Sequence, residues 1–229
     1  MKRMKAQTVF LAALLCTCLC SCSADVAGPH AAGDSVRVDP PSEEDAQFYD
    51  VGQTIQVKAI DKADPENIPL VSLTLDGCSV YEGLLPEGVD LTEMASYVVT
   101  ESGIGDDGSI PDGLCFVKAD ISYANDNDYD VVIGVNSVRV GFFGLEHDET
   151  PPSYEMSWED GIIYADAPHD AYMPVLPAHS TQSYSIGFIV PSHFVTDGNA
   201  RLVAQSEIRG LEQGDVLGFE ISKEVQHGA

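Results

Sequence analysis

Apolar and polar residues alternate with a period of two in segment after segment of this chain, and no stretch holds a helical period for three turns. Alternation of this kind turns successive side chains to opposite faces of a strand, so it commits the chain to half-buried sheets. Ile55, Val57 and Ala59 alternate with Thr54, Gln56 and Lys58. Val71, Leu73 and Leu75 share a face, but the apolar parity then shifts to Cys78 and Val80 across Asp76-Gly77. A parity shift at glycine predicts a β-bulge. Cys115, Val117, Ala119, Ile121 and Tyr123 form the clearest inward face. The run 130–143 changes parity near Asn136-Ser137, which predicts one bent strand or two. Tyr184, Ile186, Phe188 and Val190 form a further strand, and Leu217, Phe219 and Ile221 are expected to close the chain. Weaker strand candidates are 97–100, 154–158, 162–165 and 201–206, and 91–96 reads as a short helix capped by Asp90 or Thr92. Seven to nine short strands separated by Gly, Pro, Asn and Asp predict an all-β fold, an immunoglobulin-like antiparallel β-sandwich.

The first residues read differently. Met1-Lys2-Arg3-Met4-Lys5 is cationic and Val9 to Leu15 is apolar, the pattern of an export signal and too short to span a bilayer. Leu19-Cys20-Ser21-Cys22 matches the bacterial lipobox, an aliphatic residue three before a cysteine and a small one just before it. Residues 1–21 are therefore expected to be a lipoprotein signal and Cys22 the lipidated residue, with an ordinary signal cleaved between Ser21 and Ala24 as the alternative. Residues 22–47, rich in Ala, Gly, Pro, Ser and acids, read as a flexible tether, and 48–229 as the sandwich. The implied address is the outer face of the cell membrane. Two cysteines remain beyond Cys22, and in an oxidising compartment a Cys78–Cys115 disulfide is expected; two buried thiols are the alternative.

Thirty-seven acidic residues face eleven basic ones, for a formal net charge of −26. Three of the basic residues, and none of the acidic ones, lie in the signal. Such a balance argues against nucleic acid and anionic surfaces as partners; strong acidity usually serves solubility, and a cationic partner is the other reading.

The order of features resembles a known family. Tyr49-Asp50-Val51-Gly52 leads into a strand, and Cys78-Ser79-Val80-Tyr81 ends another. Phe116 to Tyr123 precedes an Asn-rich turn, and Leu176-Pro177-Ala178-His179 precedes Tyr184 to Phe188 and Val190-Pro191. This is similar to the telokin-like, immunoglobulin-like domains of unknown function on Gram-positive lipoproteins, fold relatives of mycobacterial immunoprotective extracellular proteins. The resemblance spans roughly 48–223 and implies a sandwich without catalytic residues. Two departures are His179, where such domains often place Gly in the turn, and the long stretch 82–113.

Few constellations suggest chemistry. Asp126, Asp128 and Asp130 alternate as in a calcium loop, but the sixth position is Val131 and the twelfth Ser137, so an EF-hand is ruled out and a polar turn is the plainer reading. His147, His169, His179 and His193, with Asp170, fall in or near the 146–193 loops without zinc-binding spacing. Ser180 and Ser183 near His179 lack the elbow of a serine hydrolase. Trp158, with Tyr154, Tyr164 and Tyr172 around it, is either a core tryptophan or part of an aromatic binding face in which Tyr154, Trp158 or Tyr172 anchors a ligand. The expectation is a displayed, non-catalytic binding module without cofactor, contacting its partner through 82–113 and 144–180. The alternative is an extracytoplasmic metal-binding protein or hydrolase that uses the His-containing loops.

Overall fold

Strands form where side chains alternate, and the parity shifts become the irregularities of the fold. The computed structural model of the chain describes residues 46–94, 96–145, 156–160, 173–204, 216–221 and 225–227. All of them belong to one compact unit, Asp39–Ala229. In chain order the strands are β1 (Ala46–Tyr49), β2 (Thr54–Lys58), β3 (Ile60–Asp61), β4 (Leu70–Glu82), β5 (Leu114–Asn125), β6 (Val131–Val132), β7 (Val138–Phe142), β8 (Trp158–Glu159), β9 (Val175–Leu176), β10 (Ser180–Pro191), β11 (Ala200–Ala204), β12 (Val216–Glu220) and β13 (Val225–His227). Helices α1 (Ser96–Ser102) and α2 (Ser192–Thr196) are short.

One sheet has the order β13-β4-β5-β10-β8, with β2 also paired to β4. A second runs β1-β12-β11-β7, and a small third sheet is β3-β6-β9. Two pairings are parallel, β1 with β12 and β13 with β4, while the rest are antiparallel. The inward rows of the two larger sheets meet in one apolar layer. Ile55, Leu73, Val117, Ile121, Ile186 and Phe188 come from one side, and Val138, Val140, Leu202 and Phe219 from the other. This is an all-β sandwich.

The predicted bulge is present. On β4 the register slips between Leu75 and Gly77, leaving Asp76 unpaired. Val71, Leu73 and Leu75 before it, and Val80 after it, therefore all reach the core despite their opposite parity. The run 130–143 resolves into β6 and β7, joined by a 3-10 turn at Val135–Ser137. Leu217, Phe219 and Ile221 do face the main core. Two expectations are corrected. Residues 97–100 lie within α1 instead of a strand, and β13 follows the strand expected to end the chain.

The disulfide is a further correction. Cys78 and Cys115 are on inward faces of neighbouring strands, but their sulfurs are not bonded. Cys78 pairs with Ala119, four residues along β5 from Cys115. At about 3.3 Å per residue this is roughly 13 Å along the strand, whereas a bridge needs Cα atoms within about 7 Å. A shared face is necessary for a bridge, but register decides whether it can form. Burial, with Glu82 adding to it, pushes the Cys115 thiol up to about 12, so it stays protonated and behaves as a small apolar side chain.

The stretch 82–113 is not an open loop. A 3-10 turn at Leu91–Glu93, capped by Asp90, and helix α1 carry Leu85, Met94, Ile104 and Ile110 onto the outer face of the large sheet. There they make a second core with Phe116 and Ile189.

Candidate functional site

Three connections converge at one end of the sandwich: 61–67 between β3 and β4, 125–130 between β5 and β6, and 176–179 between β9 and β10. Asn125 continues the inward row of β5 and is 1% exposed. Its Nδ2 donates to the carbonyls of Tyr129 (2.9 Å), Leu176 (3.2 Å) and Pro177 (3.1 Å), and its Oδ1 accepts from the Asn127 backbone N–H (3.0 Å). A buried amide with this many partners fixes all the strands it touches. Asp61, also buried, accepts from the Ala63 N–H (2.8 Å) and from Asn67 Nδ2 (3.0 Å). The Asn67 amide and the Ala63 N–H hold its carboxyl below the usual range.

The carboxylates singled out in the turn diverge. Asp130 accepts from the Ala178 N–H (3.1 Å) and faces Lys62 Nζ at 3.8 Å. Asp128 Oδ1 lies 3.0 Å from His179 Nε2, and Asp126 is exposed. No group of three or more His, Cys, Asp or Glu among the described residues is arranged to hold a metal ion. Asp126, Asp128 and Asp130 thus have separate surroundings within this turn. His179 takes φ 52°, the left-handed conformation for which glycine is favoured, at the position where the family resemblance leads one to expect Gly. The Asp128–His179 pair is open to water, with Asp128 95% exposed.

The histidines of the alternative reading do not all meet. His179 and His193 flank β10 at its two ends, about 40 Å apart at the usual rise of a strand. The Ser180 hydroxyl donates to the Pro177 carbonyl (2.6 Å), while His179 is engaged with Asp128. His147, His169 and Asp170 lie outside the described residues, as do Cys22, Tyr154, Tyr164 and Tyr172.

Trp158 follows the core reading and not the binding-face one. It is 2% exposed and packs edge-on to Phe116 with centroids 6.1 Å apart, in the second core and not between the sheets. Its Nε1 donates to Glu93 Oε2 (3.0 Å). Gly187 makes this packing possible, because a Cβ there would overlap the Phe116 ring. The next residue, Glu159, points the other way. It pairs with Ile186 and enters the main core, 4% exposed. Burial pushes its carboxyl up to about 7, and its Oε2 meets no hydrogen-bond partner.

Asn125 and Glu159 were not singled out as sites from sequence, yet both left a signal. Asn125 is the polar residue at the next inward position after Tyr123. Glu159 adjoins the chain's single tryptophan.

No family model matches the chain, and no curated protein matches it. Among solved structures it is similar to an uncharacterised β-sandwich protein from Clostridium difficile, at 9% identity, with 77% of this chain and 97% of that one covered and a TM-score of 0.38. A functionally unknown protein from Listeria monocytogenes shows 14% identity, 75% and 87% coverage and a TM-score of 0.41. A "putative lipoprotein (ycdA)" from Bacillus subtilis shows 12% identity over 73% of this chain and 38% of that one, with a TM-score of 0.37. Likenesses this distant concern architecture alone. No helix among the described residues is long and apolar enough to cross a membrane.

Proposed function

We propose that the chain is a lipid-anchored, envelope-displayed binding module without catalytic activity, of the telokin-like kind, which engages a cationic partner through the 125–130 and 176–179 loops. One observation carries the reading. Behind these loops Asn125, Asp61 and Asp130 are consumed in structural hydrogen bonds, while Asp126 and Asp128 stand exposed in front. A rigid base with outward carboxylates suits electrostatic recognition, and the net charge of −26 extends the field that would steer a cation to it. The lipobox at Leu19–Cys22 supplies the anchor.

The test combines fractionation and capture. Cys22→Ala should move the protein from membrane to medium. Asp126→Asn with Asp128→Asn should lower capture of a cationic probe, polylysine, by several-fold at low salt. The difference should shrink as salt screens over about 8 Å at physiological strength. Equal capture by wild type and the double variant would reject the loops as the site. Membrane retention of Cys22→Ala would reject the anchor. Turnover of an esterase, peptidase or glycosidase substrate panel by wild type, lost in His179→Ala, would replace the binding module with an enzyme.

A further inference from the structure

Strand β8 is two residues long, yet it seals an edge. Ser157 N–H donates to the Gly187 carbonyl (2.7 Å), Asp160 N–H to the Ser185 carbonyl (3.0 Å), and the Ser157 hydroxyl accepts from the Ile189 N–H (3.2 Å). On its other side Trp158 bridges to Met94 of the 82–113 cover. The two side chains plug opposite faces of the sheet, with Trp158 in the outer core and Glu159 in the inner one. An apolar residue at 159 would complete such a plug. A carboxyl with an oxygen that meets no donor completes it only while it carries a proton.

We propose that β8 is a proton-dependent strap on the edge of β10, docked while Glu159 is neutral and released as it ionises, which bares the carbonyls of Ser185 and Gly187 and the N–H of Ile189.

Among the described residues, the neighbours of Glu159 do nothing to rescue the charged form. Tyr123 of β5 and Tyr184 of β10 face it, and the proximity of the carboxylate raises both phenols further. The Tyr123 hydroxyl is paired with Ser137, and the Tyr184 hydroxyl donates to Gln182 Oε1 (2.7 Å). Lys118 and Asp120 stand on the opposite face of the sheet, and Glu93 is held by Trp158 there. Asp160, next in the chain, is exposed. With the docked carboxyl near 7 and the released one near its ordinary value, release becomes up to about tenfold more favourable per pH unit between these two values and then levels off.

The chain carries its own reporter, because Trp158 is its only tryptophan. On the full chain between pH 5 and 9, Trp emission should move to the red as pH rises and level off above about 7. Amide exchange at Ser157, Asp160 and Ile189, corrected for intrinsic base catalysis, should accelerate at least tenfold over the same range. Glu159→Gln should abolish both responses. Glu159→Leu provides the same comparison if the glutamine variant folds poorly. Glu93→Gln, which removes the other carboxylate beside the indole, should leave both intact. A response unchanged in the Glu159 variants overturns the proposal, as does its absence from wild type. Acceleration equal to that of the β4–β5 amides also overturns it, since the whole domain would then be opening.

Discussion

Asn125 shows how much one buried polar side chain can organise. Its amide ties the end of β5 to Tyr129 in its own turn and to Leu176 and Pro177 before β10. Asn125→Ala would take a donor from the carbonyls of Tyr129, Leu176 and Pro177, of which Pro177 keeps the Ser180 hydroxyl, and would take the acceptor from the Asn127 N–H. The cost of unsatisfied buried groups and of the cavity together predicts about 2–4 kcal/mol of lost stability. A urea titration followed by Trp emission measures this loss, and a change below about 0.5 kcal/mol would show that water replaces the amide without penalty. Asn125→Asp keeps the acceptor but puts a carboxylate against three carbonyls, so it should be at least as damaging. The same residue was legible in part. Its place on the inward row follows from counting by two from Cys115, whereas two of its partners, Leu176 and Pro177, come from a segment some fifty residues away and no local pattern encodes them.

At the scale of the element, β4 accommodates one extra residue. Asp76 lets Leu75 and Val80 both reach the core from positions of opposite parity. Deleting Asp76 would close the bulge: Leu75 would adjoin Gly77, which already pairs with Asp120, and Cys78 and Val80 would continue the inward row of Leu75 in the present register. The expected result is a folded chain with a urea midpoint close to that of wild type, read by far-UV circular dichroism and urea unfolding. A loss of more than about 3 kcal/mol would mean that the extra twist of the bulge is itself required by the fold. The bulge itself was visible in sequence as a parity shift at Asp76-Gly77. The disulfide expectation failed by the same logic. Parity put Cys78 and Cys115 on one face, but faces are local and register is not, and the four-residue offset on β5 is set by how two distant strands slide against each other. Helix α1 was missed because Tyr97 to Thr100 carry strand-favouring side chains. Packing on the outer face of the large sheet overrides that weak preference.

For the whole molecule, stability should depend on pH through Glu159. The folded value is raised to about 7 from an ordinary 4.5, so the native state holds a proton that the unfolded chain has released. The contribution is present in full below about 4.5, declines as pH rises toward 7, and is gone above it. The rise corresponds to a decline on the order of 3 kcal/mol. Urea midpoints measured from pH 4.5 to 8 in wild type and Glu159→Gln should diverge, with the variant the flatter of the two. Parallel curves would mean that the carboxyl titrates normally in the fold. The acidic surface also loses stability as pH rises, by self-repulsion, but both proteins share that term and it cancels in the comparison.

The sequence by itself determined the all-β class, the core rows, the bulge and the change of parity near Asn136, because a two-residue period is a property of neighbours along the chain. The family resemblance marked His179 as a departure from a turn glycine, and the structure puts that residue in the left-handed conformation. Only the tertiary structure decided that 82–113 is a second core and not a loop, and that Trp158 is sealed beneath it. It likewise decided that Cys78 and Cys115 are out of register and that Glu159 is enclosed between sheets. Each of these depends on which distant segments come to lie against one another, and that choice is made by the burial of the whole apolar surface at once.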